Sequence, residues 1–254
     1  MDLNKLLNVS TFAGKILLES GAETYRVEET IVRICLSFGV DNAESFVIPT
    51  GIMVSVTKND EICTLVRRIT SRGVDLNRID KIHSLSRRLQ HEMMTLDEVN
   101  NELISISNIN RYNTFTTLIW SSLAAGFFSV MSGGDLKDFF AACFIGACIK
   151  VMSVACQKLN INDFFINSIG GGLCAFLTVI FMTFNLCSNM DTTIIGAIML
   201  LVPGLTMTNA IRDTIAGVIL CGITKIAEAI LVAISIAVGT GAVLSIFINN
   251  FPIK

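Results

Sequence analysis

The sequence predicts an α-helical membrane domain of five transmembrane helices preceded by an α+β cytoplasmic domain. Three observations carry that prediction. Hydrophobic residues make up 52% of the chain and charged residues 16%, against roughly 25% charged in soluble domains. The charge is also partitioned, since 13 of the 19 basic and 15 of the 21 acidic residues precede Thr114. Beyond that point lie uncharged runs at 112–134, 164–190, 192–211 and 229–253, and a fifth at 139–156 broken only by Lys150. Each is near the ~20 residues a helix needs to cross a ~30 Å hydrocarbon core. The predicted domains are 1–110 and 111–254, with spans at about 114–133, 138–157, 164–187, 192–211 and 226–248. A net charge of −2 without basic blocks argues against nucleic acid as a partner.

In the front domain, Leu3, Leu6, Leu7, Ser10, Ala13, Gly14 and Leu17 share one narrow helical face rich in small residues, which predicts close packing on a neighbour. Ser20-Gly21-Ala22-Glu23 has capping-box spacing and is read as the start of a second helix, striped by Val27, Ile31, Ile34 and Phe38 and ended by Gly39. Strands are predicted at 45–48, 52–57 and 62–66, joined by turns at Pro49-Thr50-Gly51 and Lys58-Asn59-Asp60. Two further helices follow at about 76–91 and 96–108. The second is capped by Thr95 and Glu98.

No basic n-region or continuous apolar h-region follows Met1, so the front domain is expected to stay on the side of synthesis. Arg111, Lys158, Arg212 and Lys225 fall on one side of the predicted spans, and Lys137 alone on the other. The positive-inside rule then places the N-terminus in the cytoplasm and, with five spans, the C-terminus outside. Ser168, Gly170, Gly171, Gly172 and Ala175 in the third span, with Gly239 and Gly241 in the fifth, are read as sites of close helix packing.

The fourth span differs from the rest. Pro203 removes an amide donor, and Pro203-Gly204 is read as a hinge where the helix bends or opens. Thr206, Thr208, Asn209, Arg212 and Asp213 follow it. Freed backbone and polar side chains at that depth must face something other than lipid, which is the pattern of a transport site rather than a simple anchor. Lys225 and Glu228, three apart, share a helical face. Glu228 is read either as an acid near the inner boundary of the fifth span or as the partner of Lys225 in an interfacial ion pair.

Enzymatic chemistry finds little support. Neither Ser20-Gly21-Ala22 nor Pro49-Thr50-Gly51 has phosphate-loop spacing, and no nucleophile–base pairing is visible. Glu19, Glu23, Thr24, Arg26, Glu28 and Glu29 around the first inter-helix turn read as a solvated face. The eight cysteines form no CxxC, so no metal site and no cofactor is expected.

Several separated stretches resemble the threonine/serine exporter family. Leu18-Glu19-Ser20-Gly21-Ala22-Glu23-Thr24-Tyr25-Arg26-Val27-Glu28, Pro49-Thr50-Gly51-Ile52 and Arg72-Gly73-Val74-Asp75-Leu76 are similar to its cytoplasmic module. Pro203-Gly204, Thr208-Asn209-Ala210-Ile211-Arg212-Asp213, Gly217 and Glu228-Ala229 are similar to its membrane signature, with Lys225 standing where arginine is more usual. The resemblance implies a half-size member, the front half of a two-part exporter whose remainder is a separately encoded small membrane protein. It further implies outward movement of threonine and serine, or of dicarboxylates such as succinate, across the cytoplasmic membrane. On that reading the small-molecule substrate meets Thr208, Asn209, Arg212, Asp213 and Glu228, with Arg212 attracting a carboxylate and Glu228 carrying a coupling proton. Glu19, Glu23, Arg26, Pro49, Thr50 and Gly51 are the candidates for a cytoplasmic gate, with sensing or support of the fold as alternatives. A homo-oligomer is left open. The competing expectation is a membrane-anchored regulatory or scaffolding protein acting through its cytoplasmic domain; a membrane-bound enzyme ranks below both.

Overall fold

The computed structural model describes residues 2–109 and 112–250. Arg111, used above to orient the first span, lies outside them, as do the residues at the predicted 110/111 boundary. The elements are α1 (Leu3–Glu19), α2 (Thr24–Ser37), β1 (Asn42–Ile48), β2 (Gly51–Lys58), β3 (Glu61–Arg68), α3 (Leu76–Arg88), α4 (Leu96–Ser107), α5 (Thr114–Met131), α6 (Leu136–Lys158), α7 (Asp163–Thr183), α8 (Met190–Ile198), α9 (Gly204–Ile215) and α10 (Ile219–Asn250). They form two compact units. One comprises Met1–Arg111 with Leu205–Ile226, the other Tyr112–Gly204 with Ala227–Lys254. The first unit therefore contains not only the front segment but also α9 and the start of α10.

In the first unit the strands form an antiparallel meander in the order β1-β2-β3. Ala43, Val47, Ile52, Val54 and Val56 are buried on one sheet face, within the same core as Leu6, Leu7 and Leu17 of α1 and Val27, Ile31 and Ile34 of α2. The narrow small-residue face predicted for α1 is buried throughout, and a Cβ on Gly14 would come within 2.5 Å of Ile31 Cδ1. Asn59 and Asp60, with φ of 49° and 64°, make the β2–β3 turn, as short polar side chains tolerate this conformation. Thr95 and Glu98 form the predicted capping box of α4.

The second unit carries long apolar helices. Among the described residues, four helical segments are long and apolar enough to cross a membrane: Thr114–Met131, Leu136–Lys158, Asp163–Thr183 and Ile219–Phe247, with mean hydropathy from 1.4 to 2.4. The predicted fourth span is not one continuous helix. It is α8 and α9, of 9 and 12 residues, with the chain broken at 199–203. Pro203 disfavours helical geometry at Val202 and offers no amide, and tight backbone bonds from Leu200 to Ala197 and Leu201 to Ile198 wind α8 to a stop.

Close backbone contact knits α7 to α10. A Cβ on Gly239 would lie 1.8 Å from the Ser168 carbonyl oxygen, and one on Gly171 would lie 2.6 Å from that of Ile236. At the start of α6, Asp138 is 1% exposed. It accepts from the amides of Asp135, Ser188 and Asn189 and from the hydroxyls of Thr192 and Thr193. Those bonds tie α6 to the loop before α8 and to the first turn of α8.

Candidate functional site

The polar centre of the first unit is the N-terminal turn of α2. Helix α1 closes at Ser20, and Gly21 follows with φ +84°, a left-handed conformation that favours glycine. A Cβ there would also come within 2.7 Å of the Gly73 carbonyl. Gly73 N–H donates to the Glu19 carbonyl (2.9 Å) and Asp75 N–H to that of Ser20 (3.0 Å), which pins the turn. The capping box predicted from Ser20 and Glu23 does not form. Ser20 belongs to the end of α1, α2 starts at Thr24, and its N-cap residue, Glu23, makes no side-chain cap.

The cap comes from elsewhere in the chain. Asp213 of α9 accepts from Thr24 N–H (2.8 Å) and, at the limit of a hydrogen bond, from Tyr25 N–H (3.5 Å). Its other oxygen accepts from the Thr24 hydroxyl (2.9 Å) and from Lys225 Nζ (2.6 Å). Lys225 also donates to the Thr24 hydroxyl (3.0 Å), closing a ring of three side chains. The Asp213 side chain is 0% and that of Lys225 9% exposed. An ion pair so buried survives only with its remaining polar atoms satisfied. Here the amides and positive end of the α2 dipole serve the carboxylate, and the threonine hydroxyl serves the ammonium.

Local geometry explains how these two residues meet. Gly217, with φ +90°, turns the chain between α9 and α10, and Val218 N–H bonds back to the Asp213 carbonyl (2.9 Å). Gly222 lets the helices cross closely, since a Cβ there would come within 2.9 Å of the Ala210 carbonyl. Of the two readings of Glu228, one pairs it with Lys225; the carboxylate that Lys225 meets across this hairpin is Asp213. Proximity in sequence was the weaker guide.

Two further contacts from α9 reach the same turn. Asn209, buried, donates through Nδ2 to the Gly21 carbonyl (2.8 Å), and Arg212 Nη1 donates to Glu23 Oε1 (2.6 Å). The Arg212 side chain is 53% exposed and that of Glu23 10%. Burial raises the Glu23 pKa. Bonds to its own amide and to Arg212, with the charges of Arg26 and Arg212, outweigh that and hold the carboxyl below its ordinary value.

Glu28 lies one turn along α2 and accepts from the Val47 amide (2.8 Å), while the Cys221 thiol donates to the Val47 carbonyl (3.3 Å). Burial, together with the Asp213 charge, pushes the Glu28 carboxyl up despite the Val47 bond. A raised folded-state pKa makes folding more favourable where Glu28 is protonated and less so above that pKa. Glu28→Gln keeps an acceptor for Val47 and removes the charge. It is therefore expected to raise the unfolding temperature at pH 7 and to leave it unchanged at pH 3, which a pair of thermal melts checks.

The structure thus brings together Asn209, Arg212 and Asp213 with Glu23. Thr208 is an exposed residue of α9, Pro203 lies in the break and Gly204 opens α9. Glu228 belongs to the second unit. Glu19 pairs with Lys15 (3.7 Å), and Arg26 lies over the Tyr25 ring and bonds its hydroxyl. Pro49 and Thr50 form the β1–β2 turn leading into Gly51, with the Thr50 carbonyl accepting from Ile69. The face read as solvated around the first turn is in part the opposite, because Glu23 and Thr24 are buried. Thr24 was missed as a site residue, and so was the Asp213–Lys225 pair. The available signal was Asp213 and Lys225 on either side of Gly217, with no charged residue between them.

The stretches at 18–28, 72–76 and 208–217 therefore converge on one turn. The ThrE family model, that of threonine/serine exporters, matches residues 8–247. A Klebsiella aerogenes protein named "Probable succinate transporter subunit YjjP" is 25% identical over 88% of this chain and 86% of its own length. The Escherichia coli K12 protein of the same name is 24% identical over 92% and 91%. A Mycobacterium tuberculosis protein named "Probable threonine/serine exporter" is 21% identical over 92% of this chain but only 45% of its own length. No solved structure matches the chain significantly. With a family match over nearly its whole length and several helices fit to cross a bilayer, the chain belongs to the threonine/serine exporter family, a family of multi-pass membrane transporters.

Proposed function

We propose that the chain is one subunit of a two-part secondary exporter that moves a small carboxylate-bearing metabolite out across the cytoplasmic membrane. The observation that carries this reading is coverage. The chain spans 86% and 91% of two relatives named as transporter subunits, and 45% of one named as an exporter in its own right. A separately encoded small membrane protein is its partner. Threonine, serine and dicarboxylates such as succinate are the candidate substrates, and an ion or proton gradient is the drive. The N-terminus is cytoplasmic. Five crossings, the fourth at about 192–211, put the C-terminus outside.

Arg212 is the carboxylate receptor in this reading. Its side chain is half exposed, and its partner is already a carboxylate, that of Glu23. Substrate exchanges with Glu23 for the guanidinium, so Glu23 keeps the site occupied between cycles. Thr208 offers a neutral hydrogen bond, and Asn209 reaches substrate only by releasing the Gly21 carbonyl, while Asp213, fixed by Lys225 and Thr24, holds α9 in position. Glu228 carries the coupling proton, and Pro203-Gly204 is the hinge. Glu19, Arg26 and the Pro49-Thr50-Gly51 turn are the remaining candidates for the cytoplasmic gate.

Losing a charge-assisted bond worth about 1.5–3 kcal/mol lowers affinity by roughly 10- to 100-fold. Arg212→Ala is expected to reduce efflux by at least tenfold at substrate concentrations below saturation, with surface expression unchanged. Efflux at the wild-type rate with equal expression would remove Arg212 from the substrate site.

A further inference from the structure

Strand β3 is an edge strand of the three-stranded sheet. The meander order leaves β1 and β3 at the margins, and the register with β2 runs without a bulge from Glu61 to Arg68. Ile69 N–H points to β2, bonding the Thr50 carbonyl. By the period of two, the outward main-chain groups are those of Ile62, Thr64, Val66 and Arg68. Among the described residues no hydrogen bond reaches them from another element. The strand carries no proline or lysine, and its charged residues, Glu61, Arg67 and Arg68, stand only at its two ends.

Its open face is apolar as well. Ile62 is 69% and Val66 64% exposed. By register, Val66 stands beside Met53, and Met53 beside Phe46, both also exposed. An antiparallel sheet with one wet face ordinarily presents polar residues there. This one presents an apolar row that runs to the edge and stops.

The charges at the two ends of the strand identify what continues it. Asp60 and Glu61 stand at one end, Arg67 and Arg68 at the other, and among the described residues none of the four forms an ion pair. Arg67 makes one bond, to the Asn8 side chain at 3.3 Å. Two such strands placed antiparallel about a two-fold axis at Thr64 set Glu61 against Arg67, twice over by symmetry, and bring the turn that carries Asp60 to the end where Arg68 stands. The same register sets Ile62 against Val66 on the open face and faces the outward main-chain groups of 62, 64 and 66 with one another. Sliding one copy by two residues in either direction breaks the charge pairing. We propose that β3 is a self-association surface, and that a second copy of this chain adds its own β3 antiparallel to it with Thr64 opposite Thr64.

The test is a cross-link on the full chain in membranes, with Cys63 replaced by serine. Facing residues of an antiparallel pair have Cα atoms about 4.5–5.5 Å apart, within the ~4.4–6.8 Å that a disulfide spans. Thr64→Cys is therefore expected to give a disulfide-linked dimer on mild oxidation, while Ser55→Cys, its neighbour on the inner strand β2, gives none. Reversing Arg67 and Arg68 to glutamate is expected to abolish the Thr64→Cys dimer, and reversing Asp60 and Glu61 to arginine in the same chain to restore it. Thermal melts establish that each variant is folded. A folded Thr64→Cys chain that stays monomeric, equal cross-linking from Ser55→Cys, or a yield indifferent to charge reversal would each overturn the proposal.

Discussion

Replacing Asp213 with alanine is expected to cost about 3–5 kcal/mol, because it strands the Lys225 ammonium in a buried site. The same change removes the acceptor from the Thr24 amide and hydroxyl at the head of α2. Lys225→Met should cost less. Asp213 then keeps both bonds from Thr24 and the α2 dipole, whereas Lys225 without Asp213 keeps only the Thr24 hydroxyl. The double variant Asp213→Leu with Lys225→Met is expected to be more stable than Asp213→Ala alone, since no charge is then left unpaired. Thermal unfolding of the purified chain reads this order, with a drop on the order of 10 °C for Asp213→Ala. Equal effects from the two single changes would contradict the asymmetry of the site.

The second large effect is expected at Gly239. Alanine there places a Cβ 1.8 Å from the Ser168 carbonyl oxygen, a backbone atom that no rotamer change can move. Helices α7 and α10 must separate, losing the close packing that drives association in lipid. Overpacking typically costs about 1–3 kcal/mol, and this approach is closer than a core usually has to absorb. Gly241 is the internal control, because a Cβ there meets nothing within 4 Å. Gly241→Ala is expected to be neutral or slightly stabilising, as alanine favours helix over glycine. Equal destabilisation by both substitutions, in detergent melts, would place the effect in helix propensity or insertion rather than in the contact.

Much of the fold was legible because local rules govern it. The buried stripe of α1, the Thr95–Glu98 box and the Asn59-Asp60 turn each depend on residues within a few positions of one another. The break near Pro203 was legible for the same reason, since proline's lost donor is a local fact. Hydropathy could not tell that the uncharged run 192–211 divides between two short helices, because it measures composition rather than continuity.

The candidate site was legible in part. Asn209, Arg212, Asp213 and Glu23 were singled out by their residue types, but their partners were not. Ser20 and Glu23 have the spacing of a capping box, yet the carboxylate that caps α2 lies 189 residues away at Asp213. Spacing rules cannot register a cap from another helix. A Lys225–Glu228 ion pair is one of the two readings of Glu228 for the same reason, since i,i+3 neighbours are the pairs a linear reading can see. The turn at Gly217 folds the chain back and delivers Asp213 instead.

The central claim is tested most directly by efflux from vesicles containing this chain, with and without its candidate small membrane partner. Labelled threonine, serine and succinate are loaded on the side equivalent to the cytoplasm and a proton gradient is imposed. The expected result is partner-dependent efflux of one of these substrates, abolished when the gradient is collapsed. Absence of efflux for all three, with both proteins folded and inserted, would contradict the account of a two-part secondary exporter.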